Sequence, residues 1–116
     1  MAIAATAAKF RKTGDTLDYT PSAAVTAGTI LVVDGLNCIA QWDLPANVPN
    51  TVKVLHRGEV IEVTTDEAIG STNAETAIYV VAATGLVTKT STSNVLLGYA
   101  RAAIGASDLS FEVVCA

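Results

Sequence analysis

The most constraining feature of this sequence is how often it turns. Short runs rich in Val, Ile and Thr are cut at intervals of about ten residues by Gly, Asn, Asp or Pro. Nine runs can be delimited: Thr16–Tyr19, Thr29–Asp34, Cys38–Trp42, Thr51–Leu55, Val60–Thr64, Ala77–Val81, Leu86–Thr90, Val95–Ala100 and Ser110–Cys115. β-Branched residues in runs this short fit a pleated, half-buried surface better than a helix. Ala100 to Ala106 is the one Ala-rich interior stretch, but Gly98 and Gly105 bracket it, leaving too little chain for a stable helix. It reads equally as a strand end followed by a loop. The expected fold class is all-β, with the regular turns of a sandwich or barrel.

Two hairpins stand out. Asp34-Gly35 sits between apolar runs, a dipeptide suited to tight reversal. Thr84-Gly85 separates Ala77–Val81 from the run that begins at Leu86. Ile30, Val32 and Val33 recur as Ile78, Val80 and Val81, each 48 positions on, a likeness that any two hairpins can share. Residues 43–50, with Pro45 and Pro49, and the polar stretch 66–77 read as loops within one domain. The expected organisation is a single domain over 14–116, preceded by an arm, residues 1–13, that lacks a strand-and-turn pattern.

Composition narrows the function. The 116 residues are 51% hydrophobic, which excludes a disordered tail. Mean hydropathy is +0.46, yet no run of about 18 apolar residues occurs, so no membrane helix is expected. Met1 to Ala8 is apolar and Ala5-Thr6-Ala7 has the A-x-A form, but no basic segment precedes it, and it is not read as a signal peptide. Charge is unevenly placed. Residues 1–12 carry Lys9, Arg11 and Lys12 with no acid, whereas the remaining 104 hold 4 basic and 11 acidic side chains. A basic arm on an acidic body suits contact with a partner but offers no broad cationic face for nucleic acid.

Reactive groups are scarce. His56 is the only imidazole, placed where a strand enters a turn, and no residue pattern supplies it with a nucleophile. No phosphate-binding loop motif is present. Glu59 and Glu62, three apart in an expected strand, fall on opposite faces, and the aspartates never cluster like a calcium loop. Cys38 and Cys115 lack metal-ligand spacing and read as reduced, buried residues. The expectation is a protein with no catalytic residue, metal site or cofactor. Tyr19, Tyr79, Tyr99 and Phe111 lie within expected strands as core or core-edge residues, while Phe10 sits in the basic arm. Trp42, at a strand end before Asp43-Leu44-Pro45, is a candidate contact residue, since Trp is enriched at interface centres.

Read together, these segments resemble the small phage capsid cement, or head decoration, proteins. The resemblance is carried by Gly14-Asp15 leading into Thr16–Tyr19, by Ala24–Gly28, and by Ile30–Val33 with Gly35. It continues through Arg57-Gly58-Glu59-Val60 and Ile78-Tyr79-Val80, then Gly85-Leu86-Val87-Thr88 and Asn94 through Ala100. Ala102-Ala103 and the final Phe111–Val114 strand complete it. The pattern departs from the family at Glu75-Thr76-Ala77, where Gly-Asp is usual, and at Asp108, which stands three residues beyond Gly105.

The resemblance implies a small β-barrel or β-tulip (β-clip-like) domain on the exterior of an icosahedral phage head. Such a protein, made in the host cytoplasm, would bridge major capsid protein subunits as a homotrimer, with no direct contact to nucleic acid or membrane. The residues expected to touch the capsid are Lys9, Phe10, Arg11, Lys12 and Trp42. Two rival functions share the composition: a tail or fibre accessory module, and a carbohydrate-binding barrel with a pocket lined by Trp42 and several tyrosines.

Overall fold

The turns do delimit strands. In the computed structural model, which describes residues 16–116, each of the nine expected runs overlaps a strand. They are β1 (Thr16–Tyr19), β2 (Ile30–Val33), β3 (Leu36–Ile39), β4 (Asn50–Val54), β5 (Val60–Thr64), β6 (Ala77–Val80), β7 (Val87–Thr88), β8 (Val95–Ala100) and β9 (Ser110–Cys115). Two antiparallel sheets result, with orders β1-β4-β3-β2 and β5-β9-β8-β6-β7. The all-β class is therefore as expected, though the strands form two open sheets rather than one closed barrel. Residues 101–109 continue from β8 as a loop. The arm, residues 1–13, lies outside the described residues.

The largest boundary difference concerns β3, which starts at Leu36 instead of Cys38 and ends at Ile39 instead of Trp42. Its cause is the turn. Asp34 and Gly35 both take positive φ, 52° and 78°, and the pair Val33–Leu36 closes directly around them. This is the two-residue reversal whose twist matches paired strands, so β3 resumes at once. At its other end the ladder stops at Ala40, whose N–H still donates to the Thr29 carbonyl at 3.0 Å but whose carbonyl accepts from Gly28 N–H at 2.7 Å.

The two sheets repeat one plan. In each, the first strand pairs with the last, the last with the strand before it, and that strand with the second. The connections repeat as well. Gly28 N–H donates to the Ala40 carbonyl and Glu75 N–H to the Ala100 carbonyl, both at 2.7 Å. Isolated bridges Val25–Leu44 and Thr72–Ile104 pin the loops at matching places. Val25 through Thr29 thus corresponds to Thr72 through Thr76, and Glu75, at φ 67°, holds the left-handed conformation that Gly28 holds at 87°. This register sets Ile30 against Ala77 and Leu31 against Ile78, one residue away from the likeness seen in sequence. A one-residue shift exchanges the faces of a strand, so the sequence match had paired side chains that point opposite ways.

Packing explains the continuous apolar run of β2. Leu31 and Val33 pack on a small core of Cys38, Ala40, Leu44, Val52 and Val54. Ile30 and Val32 face the other way, into a larger core that includes Val63, Ile78, Val80, Leu97, Phe111 and Val113 of the second sheet. A strand covered on both faces has no reason to alternate. β8 carries a bulge: Ile78 pairs with Gly98 but Tyr79 with Leu96, and the extra residue, Leu97, is fully buried. Beside the bulge the Leu96 carbonyl accepts from Asn37 Nδ2 at 2.8 Å, while the Leu97 carbonyl accepts from Ala116 N–H at 3.0 Å on the β9 side. Asn37 belongs to β3, so its bond ties the sheets together.

Two glycines are fixed by close approach. A Cβ on Gly98 would overlap the Val114 carbonyl of β9, and one on Gly85 (φ 75°) would overlap the Ile30 carbonyl of the other sheet. Both obstacles are backbone and have little room to yield. Gly98→Ala is expected to lower unfolding stability by about 1–3 kcal/mol, as overpacking does. Urea denaturation checks this, and an unchanged midpoint would contradict it.

Candidate functional site

A functional site of the catalytic kind would need a buried or activated polar group, and none of the described charged residues is buried. The one shifted carboxylate lies at the junction of the two sheets. The chain leaves β4 through Leu55, reverses over His56-Arg57-Gly58-Glu59 with Gly58 at φ 89°, and enters β5. That reversal returns Glu59 to Lys53, with Nζ 3.0 Å from both carboxylate oxygens. The His56 backbone N–H donates to Glu59 Oε1 at 2.6 Å. These donors, the His56 amide first and then Lys53, hold the Glu59 carboxyl below its usual range. The side chain is 37% exposed, so the pair is a joint clamp at the surface and not a poised acid or base. Glu62 is separate from it, accepting from Ser110 Oγ at 3.3 Å.

The cysteines are equally inert. Cys38 and Cys115 are free, and each belongs to a different core. Burial pushes both thiols up, which disfavours the reactive thiolate. The described residues contain no group of three or more His, Cys, Asp and Glu placed to hold a metal ion.

Contact surface is what the fold does provide. Trp42 is 47% exposed, and its Nε1 donates to Asn50 Oδ1 at 2.9 Å, which steadies the indole at the surface. Its connection, 41–49, is held down by the buried Leu44 and by the Ala27 N–H, which donates to Asp43 Oδ1 at 2.8 Å. Lys9, Phe10, Arg11 and Lys12 lie outside the described residues. Tyr99, expected in the core or at its edge, is instead 44% exposed on β8, its side chain alternating to the outer face from the buried Gly98 and Ala100, and other exposed apolar side chains had not been singled out in sequence: Leu36, Val48, Val60, Leu86 and Leu109. Leu36, Leu86 and Leu109 directly follow the turn residues Gly35, Gly85 and Asp108. An apolar residue immediately after a turn signal is the cue that would have found them.

A groove of about 650 Å³ runs between the sheets, walled by Ile30 and Ile39 on one side and by Ile61, Val63 and Val87 on the other, with Glu62 and Asp66 at its rim. A neighbouring groove of about 510 Å³ continues along Thr65–Ile69 and Leu86–Thr90. A third, of about 380 Å³, includes Tyr19 as its one aromatic. Trp42 lines none of the three, so the aromatic pocket expected of a carbohydrate-binding barrel is not formed there.

The clamp has a measurable signature. A depressed carboxyl pKa stabilises the fold above the ordinary value of 4.5, and that contribution is lost as pH falls through the folded-state value. Wild type should therefore exceed Glu59→Gln in stability at neutral pH, with the gap closing in acid below pH 4.5; a gap independent of pH would contradict the account. Iodoacetamide should label neither Cys38 nor Cys115 until the protein unfolds, and rapid labelling of the native protein would contradict their burial.

This arrangement is two small repeated sheets, a fixed joint, inert thiols and apolar tips on the surface. Comparison with known proteins gives one match: the model of the phage cement protein family, over residues 11–115. Neither a curated protein nor a solved structure matches the chain. Because the family match spans nearly all of the sequence, the chain belongs to the phage cement protein family, a family of structural virion proteins.

Proposed function

We propose that this protein binds the outer surface of the icosahedral phage head and stabilises it by bridging major capsid protein subunits. The observation that carries the reading is the family match over residues 11–115. The structure agrees in kind: the described residues offer exposed apolar side chains on tightly braced turns and no activated polar group. In this reading the protein is not an enzyme and uses no cofactor. It acts from the capsid exterior, having been made in the host cytoplasm, and touches neither nucleic acid nor membrane.

Its contact residues are Lys9, Arg11 and Lys12 of the arm, with Phe10 among them, and Trp42 on the domain. The basic residues meet an acidic capsid surface, where complementary charge gives register and rate. Trp42 supplies a large, steadied apolar contact. A homotrimer places several such contacts across a junction between capsid subunits. Each interface is modest, but simultaneous engagement multiplies their effect and resists outward pressure from packaged DNA.

Binding to purified capsids tests this directly. Trp42→Ala is expected to weaken binding at least tenfold, and reversing Lys9, Arg11 and Lys12 to Glu should abolish binding at moderate salt. Unchanged occupancy in both variants would overturn the contact assignment. Sedimentation of the free protein and of copies released from capsids should reveal trimers; monomers in both would refute the trimer. Labelling of intact particles should decorate the head, whereas label on the tail or fibres would favour an accessory module there.

A further inference from the structure

Both sheets carry the same cross-strand row, and the chain covers only one of the two. In the first sheet Thr16, Lys53, Ile39 and Ile30 pair in succession across β1, β4, β3 and β2. In the second, Val60, Val114, Tyr99 and Ala77 pair in the same order across β5, β9, β8 and β6. Directly opposed residues of antiparallel strands share a face, so each row is one stripe across its sheet. The repeated connections at Ala40 and Ala100 set Ile39 against Tyr99, and the pairing then sets Ile30 against Ala77.

The first stripe is covered from within. Ile30 is 6% exposed and belongs to the larger core with Val63, Ile78 and Val113 of the second sheet, and Ile39 packs against that core. The outer face of the first unit thus lies on the inner face of the second. The second stripe has no such cover among the described residues. Val60 and Tyr99 are 45% and 44% exposed, whereas Val63, Ile78 and Val113, on the other face of the same sheet, are buried. Charge lies only at the border of the stripe. Glu62 and Glu112 pair directly, and Arg101 Nη1 donates to Glu112 Oε2 at 3.1 Å. A solvated sheet face alternates to polar residues throughout. An apolar centre with an aromatic, ringed by charge, has the anatomy of a protein contact.

We propose that a second copy of this chain covers the Tyr99 stripe, receiving it on the inner face of its first sheet. The contact inside the chain selects that occupant: the Ile39 stripe is already covered by a unit of this fold, and the Tyr99 stripe is its counterpart. Receiving positions are present. Pairing sets Leu17 and Tyr19 against Ile61 and Val63, which share the inter-sheet groove with Ile30 and Ile39. Leu17 and Tyr19 are only partly buried. Tyr19 and Leu31 line a groove of about 380 Å³ whose other walls include Ala23, Ala24, Ala82 and Ala83. Small walls suit a bulky projecting side chain, and Tyr99 is the bulkiest of the stripe. The contact joins two different surfaces, so copies add head to tail and either close into a ring or extend as a chain. Closure at three gives the homotrimer proposed above; the inference names the surface of that trimer and rests on that reading for the ring size alone.

Sedimentation equilibrium of the full chain, wild type against Tyr99→Asp, tests the surface. The substitution lies outside both cores, so circular dichroism should show the same fold, while self-association should weaken about thirtyfold or more, as for an aromatic at an interface centre. A second measurement fixes the partner surface. Tyr99→Cys and Ser22→Cys proteins, the latter altered at an exposed residue lining the Tyr19 groove, are mixed and treated with a short bismaleimide. Linked pairs should form in the mixture and not with Tyr99→Cys alone, and the buried native thiols do not compete. Tyr99→Asp that associates as tightly as wild type would overturn the surface and leave the trimer standing. Tyr99→Cys linked to itself would also overturn it, since the contact would then be symmetric. Linked pairs in open chains of wild-type tightness would support the surface and refute the trimer.

Discussion

Each half of this chain is closed by a pairing between its first and last strands, β1 with β4 and β5 with β9. Everything else hangs on those two non-local ladders. They bring distant ends together, which costs chain entropy that only burial on the enclosed face returns. The return comes from small side chains. Val52 and Val113, at matching places on the two closing strands, are both fully buried. Ala40 and Ala100 sit beside them, where a larger residue would hold the loop strands away from the sheet. The low aromatic content follows from this geometry, because two thin units stacked through β2 have no room for one large aromatic core.

The joint between the units is braced for equally local reasons. A single reversal at Gly58 links β4 to β5, and Lys53, Glu59 and the His56 amide lock it. Asn37 adds a cross-sheet bond to the bulge at Leu96.

Much of this was legible in the sequence because turn residues state their requirements openly. Asp34-Gly35 announced its hairpin, and β5, β8 and β9 fall where alternation placed them. What was hidden depends on three dimensions. The repeat was visible only one residue out of register, because the bulge at Leu97 and the two-sided burial of β2 erase the alternation that would have aligned it. The Lys53–Glu59 clamp spans a turn, and nothing in the spacing of those residues marks it without knowing that the chain reverses at Gly58. Trp42 was recognisable as a surface residue from its place before Asp43 and Pro45. Of the expected contacts only Trp42 lies among the described residues, so the arm enters the account through its charge.

The account joins a fixed two-sheet body to a basic arm and gives both to one task, holding neighbouring capsid subunits together from outside. A cryo-EM reconstruction of the intact particle tests that claim most directly. The account predicts density for this protein on the outer face of the head, in threefold clusters, with each cluster touching at least two major capsid subunits. Density confined to the tail, or seated wholly on single capsid subunits, would contradict it.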